Sequence, residues 1–156
     1  FFSDDWGSQK GLLISPNLWN EIFRPLYKKL FTYIHNLELD ICLHSCGNVI
    51  DIIESLREEG LDIIHPIQPG IMNPKITSKI CKEIELCVMS GIDVQFHLDN
   101  FSGKKLIRQV LNTIETFNGK SGGFILAYTN LVPPEKDISD IEELYKEIYS
   151  IYRDRK

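Results

Sequence analysis

The stretch DICLHSCGNVIDIIESLREEGLDIIHP, residues 40–66, decides how this chain is read. Residues 40–45 and 61–67 are apolar runs of strand length. Between them, residues 49–59 carry Ile50, Ile53 and Leu56 at helical spacing, with Gly60 as the stop. A strand, a helix and a strand in that order predict two parallel strands joined by a helical crossover. The same stretch places His44 and Cys46 two residues apart at the end of its first strand. Side chains two apart on a strand share a face, so Cys42, His44 and Cys46 point one way and Ile41 and Leu43 the other.

Reading outward from this unit repeats the pattern. Residues 1–7 read as the end of a strand entering a glycine-containing loop. Ser15-Pro16 starts a helix, with Ser as cap and Pro at the first helical position. Leu18, Trp19, Ile22, Phe23, Leu26, Leu30, Phe31 and Ile34 give that helix one apolar face. Asn73-Pro74 opens a helix to about residue 83, and residues 85–91 form a strand. Ser102 is expected to cap a helix with Leu106, Val110, Leu111, Ile114 and Phe117 inward, ended by Gly119. Residues 123–128 form the last strand, and Asp137 caps a final helix carrying Ile141, Leu144, Tyr145 and Ile148. Short apolar strands alternating with helices predict an α/β fold with a parallel sheet covered on both faces. An open doubly wound sheet and part of a closed eight-stranded barrel both satisfy it. No G-x-G-x-x-G follows a strand. The GKS in NGKSGG, residues 118–123, follows a helix and lacks the earlier glycine of a phosphate loop.

Polar residues collect after each predicted strand: Asp4 and Asp5; His44 and Cys46; His65 and Gln68; Asp93 and Gln95; Tyr128, Thr129 and Asn130. In both architectures active sites lie at that carboxyl edge. A thiolate and an imidazole on one strand face suit zinc, which takes sulfur and nitrogen ligands and needs two more at tetrahedral positions. The plain alternative is a buried cysteine beside a hydrogen-bonded histidine. His65, inside an apolar run, reads as a core histidine, and Cys42, Cys81 and Cys87 read as packing residues. Asp4 or Asp5 faces the pocket as ligand or base, or both are solvated. Asp93 either faces the pocket or caps a helix. Gln68 and Gln95 are candidates for hydrogen-bonding a bound acid or amide.

Composition narrows the class. The chain has 156 residues with 43% apolar and 25% charged side chains, and a net charge of −5. Without clustered Lys and Arg a nucleic-acid partner is not expected. No stretch has membrane-spanning length, and the opening residues do not form a secretory signal. The four cysteines form no Cys-x-x-Cys pair or disulfide-like framework, which fits a reducing, cytoplasmic compartment. The first residue is not Met, which leaves open that the chain is a piece of something longer.

The blocks DDWGSQKGLLISPNLW, LHSCGNVIDIIESLREEGLDIIHPIQP, SGIDVQ and GGFILAYTNLVPPE, in this order, resemble the uroporphyrinogen decarboxylase superfamily, including its corrinoid-linked methyltransferases. The resemblance covers nearly the whole chain. It implies the C-terminal half of a (β/α)8 TIM barrel: a single partial domain over residues 1–156, with the site in the mouth of the barrel. The zinc methyltransferases of the superfamily carry H-x-C at this strand, which carries zinc ligation onto His44 and Cys46. Those acting on coenzyme M add a cysteine in the last strand-to-helix region. Here that region reads AYTNLVPP, and Thr129 replaces the usual histidine. An oxygen from Asp5 or Asp93 is the expected substitute ligand, and these two are the candidate catalytic carboxylates. Gln68, Gln95, Tyr128 and Asn130 are the candidate substrate-binding residues.

Three functions compete. The first is a zinc-dependent methyltransferase moving a methyl group between a corrinoid protein and a thiol or methoxylated compound. The second is a porphyrinogen decarboxylase, a lyase that needs no metal. The third is a non-catalytic interaction domain. A half barrel is expected to be inactive alone, and to form a homodimer or pair with its missing half.

Overall fold

A computed structural model describes residues 1–117, 122–134 and 139–153. Five strands form one sheet: β1 (Phe2–Ser3), β4 (Cys42–His44), β5 (Ile63–His65), β6 (Cys87–Ile92) and β7 (Phe124–Tyr128). Their spatial order is their chain order, and every pairing is parallel. Between them run α2 (Arg24–His35), α3 (Ile50–Glu58), α4 (Pro74–Glu83), a short α5 (His97–Asn100) and α6 (Gly103–Thr116); α7 (Ser139–Tyr152) follows β7. Parallel neighbours with a helix in each crossover are the (β/α) repeat of a barrel, here a partial one.

Burial follows the alternation along the strands. Leu43, Ile64 and Val88 pack with Ile52, Ile53, Leu56 and Phe31 between sheet and helices. Each such large side chain contributes about 1.5–3 kcal/mol by leaving water. Cys42, His44 and His65 alternate to the other face, the one that would line a barrel. In register, Ser3 lies opposite His44, and His44 opposite His65.

Several predicted starts hold. Ser15 Oγ accepts the Leu18 amide at 3.2 Å, and Asn73 Oδ1 accepts those of Lys75 and Ile76 at 3.0 and 3.3 Å. Gly60 ends the α3 turn at φ +111°, a conformation a side chain disfavours.

Four expectations are corrected. The opening strand stops at Ser3, and a two-stranded hairpin follows: β2 (Gly7–Ser8) and β3 (Gly11–Leu12). The helix from Ser15 is not uniform: α1 (Pro16–Leu18) passes through a π-helical stretch, Trp19–Phe23, before α2. Its apolar residues split into two stripes. Trp19, Tyr27 and Phe31 are buried, while Leu18, Ile22, Leu26 and Leu30 are exposed, the last two lining a groove with Phe2 of β1. Ser102 sits at the cap position of α6 without capping, and Asp140 of α7 accepts the Gly103 amide at 3.0 Å instead. Gly119 and Asp137 lie outside the described residues.

Candidate metal centre

The turn after β4 is held on three sides. Ser45 donates its amide to the His65 carbonyl at 2.8 Å, and its hydroxyl accepts the Trp6 amide at 2.9 Å. Asn48 donates to the Ser8 carbonyl at 2.8 Å, tying the turn to the hairpin. Gly47 donates to Gln68 Oε1 at 2.9 Å, tying it to the loop after β5. The backbones of Gly7 and Gly47 touch. A Cβ on Gly47 would stand 2.3 Å from the Gly7 carbonyl carbon, and Gly47 has φ +82°. Both glycines are therefore required for the hairpin to lie against Cys46.

Three possible ligands meet there. The Cys46 Sγ lies 3.3 Å from His44 Nε2, and Asp5 Oδ1 lies 3.8 Å from the same nitrogen. One atom from each of Asp5, His44 and Cys46 falls within 4.8 Å of the others. Zinc at ~2.3 Å from sulfur and ~2.0–2.1 Å from nitrogen or oxygen separates tetrahedral ligands by roughly 3.3–3.6 Å. The donor set suits zinc and the sulfur–nitrogen separation matches it, while the Asp5 oxygen would have to move a few tenths of an ångström closer to join them. Asp5 reaches the site because its Oδ1 accepts the Cys46 amide at 2.8 Å.

The other candidates have separate placements. Asp4 turns away, accepting from the Tyr27 hydroxyl at 2.7 Å; that hydroxyl in turn accepts from Trp6 Nε1 at 2.7 Å. Asp93 is buried, and its Oδ1 accepts the amides of Gln95 and Phe96 at 2.9 and 2.6 Å. It is a turn-forming carboxylate and does not join the ligand cluster. Asn130 donates toward Cys46 Sγ at 3.8 Å and so stands at the centre. Gln68, Gln95 and Asp93 line a polar cleft of about 430 Å³ beside it, with Lys10 of the hairpin. Tyr128 points its ring at Tyr145 of α7, on the helix side; only its carbonyl faces the site.

That carbonyl meets His65, whose Nε2 lies 2.7 Å from it, while His65 Nδ1 lies 2.7 Å from His44 Nδ1. His65 is thus more than a core histidine. Its signal in the sequence was parity: both histidines end a strand on the same face.

Burial pushes the Cys46 thiol up, and the Asp5 and Asp93 carboxylates add to this, so the metal-free site favours a neutral thiol. A bound cation reverses that balance. Burial pushes His65 down, opposed by the Tyr128 carbonyl and assisted by His44. Cys81, on the buried face of α4, is pushed up to about 12 by burial, then by Cys87. Cys42, Cys81 and Cys87 lie outside the cluster.

A partial parallel (β/α) barrel with a thiol, an imidazole and a carboxylate at its carboxyl edge is the class the fold and site define. Residues 3–151 match the family described as Uroporphyrinogen decarboxylase (URO-D), and the chain belongs to that family. Among solved structures, a methyltransferase from Methanosarcina mazei is similar with a TM-score of 0.69 at 14% identity. That match covers 96% of this chain and 41% of the other. The chain thus spans about two fifths of that structure's length. No curated protein sequence matches the chain. Among the described residues no helix is long and apolar enough to cross a membrane.

Proposed function

We propose that this chain is the metal-bearing part of a zinc-dependent methyltransferase that moves a methyl group between a corrinoid protein and a thiol or methoxylated compound. The convergence of Cys46 Sγ, His44 Nε2 and an Asp5 oxygen within 4.8 Å carries this reading. The name of the Methanosarcina mazei structure, a methyltransferase, supports the branch. Zinc there would act as a Lewis acid, lowering the pKa of a thiol or drawing charge from a leaving oxygen. His44, Cys46 and Asp5 would hold it. Asn130 would steady the Cys46 sulfur, and the cleft lined by Gln68 and Gln95 would orient the rest of the substrate. With a thiol, the sulfur–carbon bond would form as the cobalt–carbon bond breaks, the electron pair staying on cobalt and the thiol proton passing to solvent. With a methoxylated compound, the cobalt–carbon bond would form as the oxygen–methyl bond breaks, the pair staying on the oxygen, which takes up a proton.

The edges of β1 and β7 each pair on one side only among the described residues. In this reading further strand–helix units, or a second copy, complete the barrel. The family description favours a second reading, porphyrinogen decarboxylation, which uses the polar cleft and no metal. The test is turnover of methylcobalamin and a thiol by protein extended to a complete barrel, with and without zinc. Zinc-dependent loss of methylcobalamin, abolished in Cys46→Ser, is expected. Metal-independent decarboxylation of a porphyrinogen with no methyl transfer contradicts the first reading.

A further inference from the structure

We infer that His65 is a positioning residue that fixes the tautomer of His44, so that the lone pair of His44 Nε2 is aimed into the space shared with Cys46 and Asp5. The role assigned to that lone pair rests on the metal reading above. The tautomer itself does not.

The argument runs through one carbonyl. The Tyr128 carbonyl oxygen can only accept a hydrogen bond, and His65 Nε2 lies 2.7 Å from it. The hydrogen on His65 is therefore on Nε2. In a neutral ring that leaves Nδ1 as an acceptor. His44 Nδ1 lies 2.7 Å from that acceptor, so the hydrogen between the two rings belongs to His44. In the neutral ring, with its hydrogen on Nδ1, His44 presents a bare Nε2 on the opposite edge, 3.3 Å from Cys46 Sγ and 3.8 Å from Asp5 Oδ1. The alternative places a second hydrogen on His65, making it a cation. Two facing N–H groups at 2.7 Å would then repel unless His44 reversed its tautomer. His65 is only 8% exposed and, among the described residues, makes no ion pair with a carboxylate that would support a cation.

The fold builds this relay without adjusting loops. His44 and His65 are opposite in the parallel register of β4 and β5, on the same face of the sheet. Tyr128 ends β7, two strands from β5, so its carbonyl is anchored by the ladder with β6. A metal-ligating histidine commonly gives its second N–H to a carboxylate, carbonyl or water, which sets ring orientation and ligand basicity. Here a second imidazole takes that place and passes the polarity on to a strand carbonyl. An imidazole suits the place because it has an acceptor and a donor on separate edges of one rigid ring. A glutamine has the same pair on its amide; a leucine has neither.

The experiment is nitrogen–proton correlation NMR of the imidazoles in the metal-free 156-residue chain, followed by zinc titration against a chromophoric chelator. In the wild type, His44 is expected as the Nδ1–H tautomer and His65 as the Nε2–H tautomer. His65→Leu should release His44 toward the Nε2–H form that free histidine favours, and weaken zinc binding about 10–100-fold. His65→Gln should restore both readings toward wild type, which a merely space-filling role would not do. Finding His44 as the Nε2–H tautomer in folded wild-type protein overturns the inference, and this holds even if the variants do not fold. Unchanged tautomer and zinc affinity in folded His65→Leu also overturns it. If His44 is the Nδ1–H tautomer but zinc does not bind, the positioning role stands and the metal reading fails.

Discussion

The Asp5 carboxylate accepts the backbone N–H of Cys46 at 2.8 Å while the same oxygen lies 3.8 Å from His44 Nε2. One exposed side chain thus joins the strand-end loop of β1 to the turn after β4. Its two roles separate by substitution. Asp5→Asn keeps an oxygen for the Cys46 amide and removes the charge. Stability in urea should change little, while zinc affinity should fall by about tenfold or more. Asp5→Ala should lose the same affinity and about a further 1 kcal/mol of stability from the missing hydrogen bond. Equal zinc affinity in all three proteins would remove Asp5 from the site.

Gly47→Ala tests how the turn is held. Its φ of +82° alone costs an alanine about 1–2 kcal/mol. The added Cβ also meets the Gly7 backbone, which cannot rotate away as a flexible side chain could. A loss greater than the conformational cost is expected by urea denaturation, with the β2–β3 hairpin loosened in hydrogen exchange. A neutral substitution would contradict the close backbone approach.

Acid should destabilise the chain through His97, which lies outside the Asp5–His44–Cys46 cluster. His97 is buried, and its Nδ1 accepts the Asp93 amide at 2.9 Å, so protonation there breaks a bond. Burial pushes its pKa down, with the Asp93 charge partly opposing this. The unfolded chain then binds a proton near the ordinary value of about 6.5, before the folded one does. Its contribution is fully present above that pH and is lost as pH falls from there toward the lowered folded value. The urea midpoint should drop between pH 7.5 and 5.5, and His97→Asn should flatten part of that slope. An identical slope in the variant would assign the acid loss elsewhere.

Leu18, Ile22, Leu26 and Leu30 form an exposed stripe, Leu26 by 55%, and Leu26 and Leu30 lie against Phe2 of β1, a strand with one open edge. Phe2, Phe23, Leu26, Tyr27 and Leu30 line a largely apolar groove there. In the barrel reading this surface is covered by a further strand–helix unit. The 156-residue chain should therefore self-associate, and Leu26→Lys with Leu30→Lys should shift it toward monomer while leaving zinc binding intact. Light scattering from a concentrated, monodisperse wild-type monomer would count against that covering.

How much of this was legible depended on whether a local rule or a distant neighbour set the position. Strand parity placed Cys42 and His44 on the inner face and Ile41 and Leu43 in the core, because a half-buried strand has only two faces. Ser15 and Asn73 announced their helices because a cap is satisfied within four residues. Ser102 misled because Asp140, a residue 37 positions away, takes the Gly103 amide. The stripe of Leu18, Ile22, Leu26 and Leu30 read as core because periodicity shows an apolar face without saying what covers it. Tyr128 read as a substrate residue from its strand-end position, yet parity sends its ring to the helices and only its carbonyl to the site. The β2–β3 hairpin was hidden because two-residue strands leave no alternation to see. Asp5 was a candidate by chemistry, but its choice over Asp4 and Asp93 came from three-dimensional partners: Tyr27 holds Asp4, and two amides hold Asp93.

The central claim is that Cys46, with His44 and Asp5, holds a zinc ion at the carboxyl edge of the sheet. Its most direct measurement is the zinc stoichiometry of the chain prepared without a polyhistidine tag, dialysed against buffered zinc, in the wild type, Cys46→Ser and Cys42→Ser. The expected result is one zinc per chain in the wild type and in Cys42→Ser, with a sharp loss in Cys46→Ser, since removing one of three protein ligands takes away much of the affinity. Folded wild-type protein with its thiols reduced that binds no zinc, or binds it equally well in Cys46→Ser, would contradict the claim.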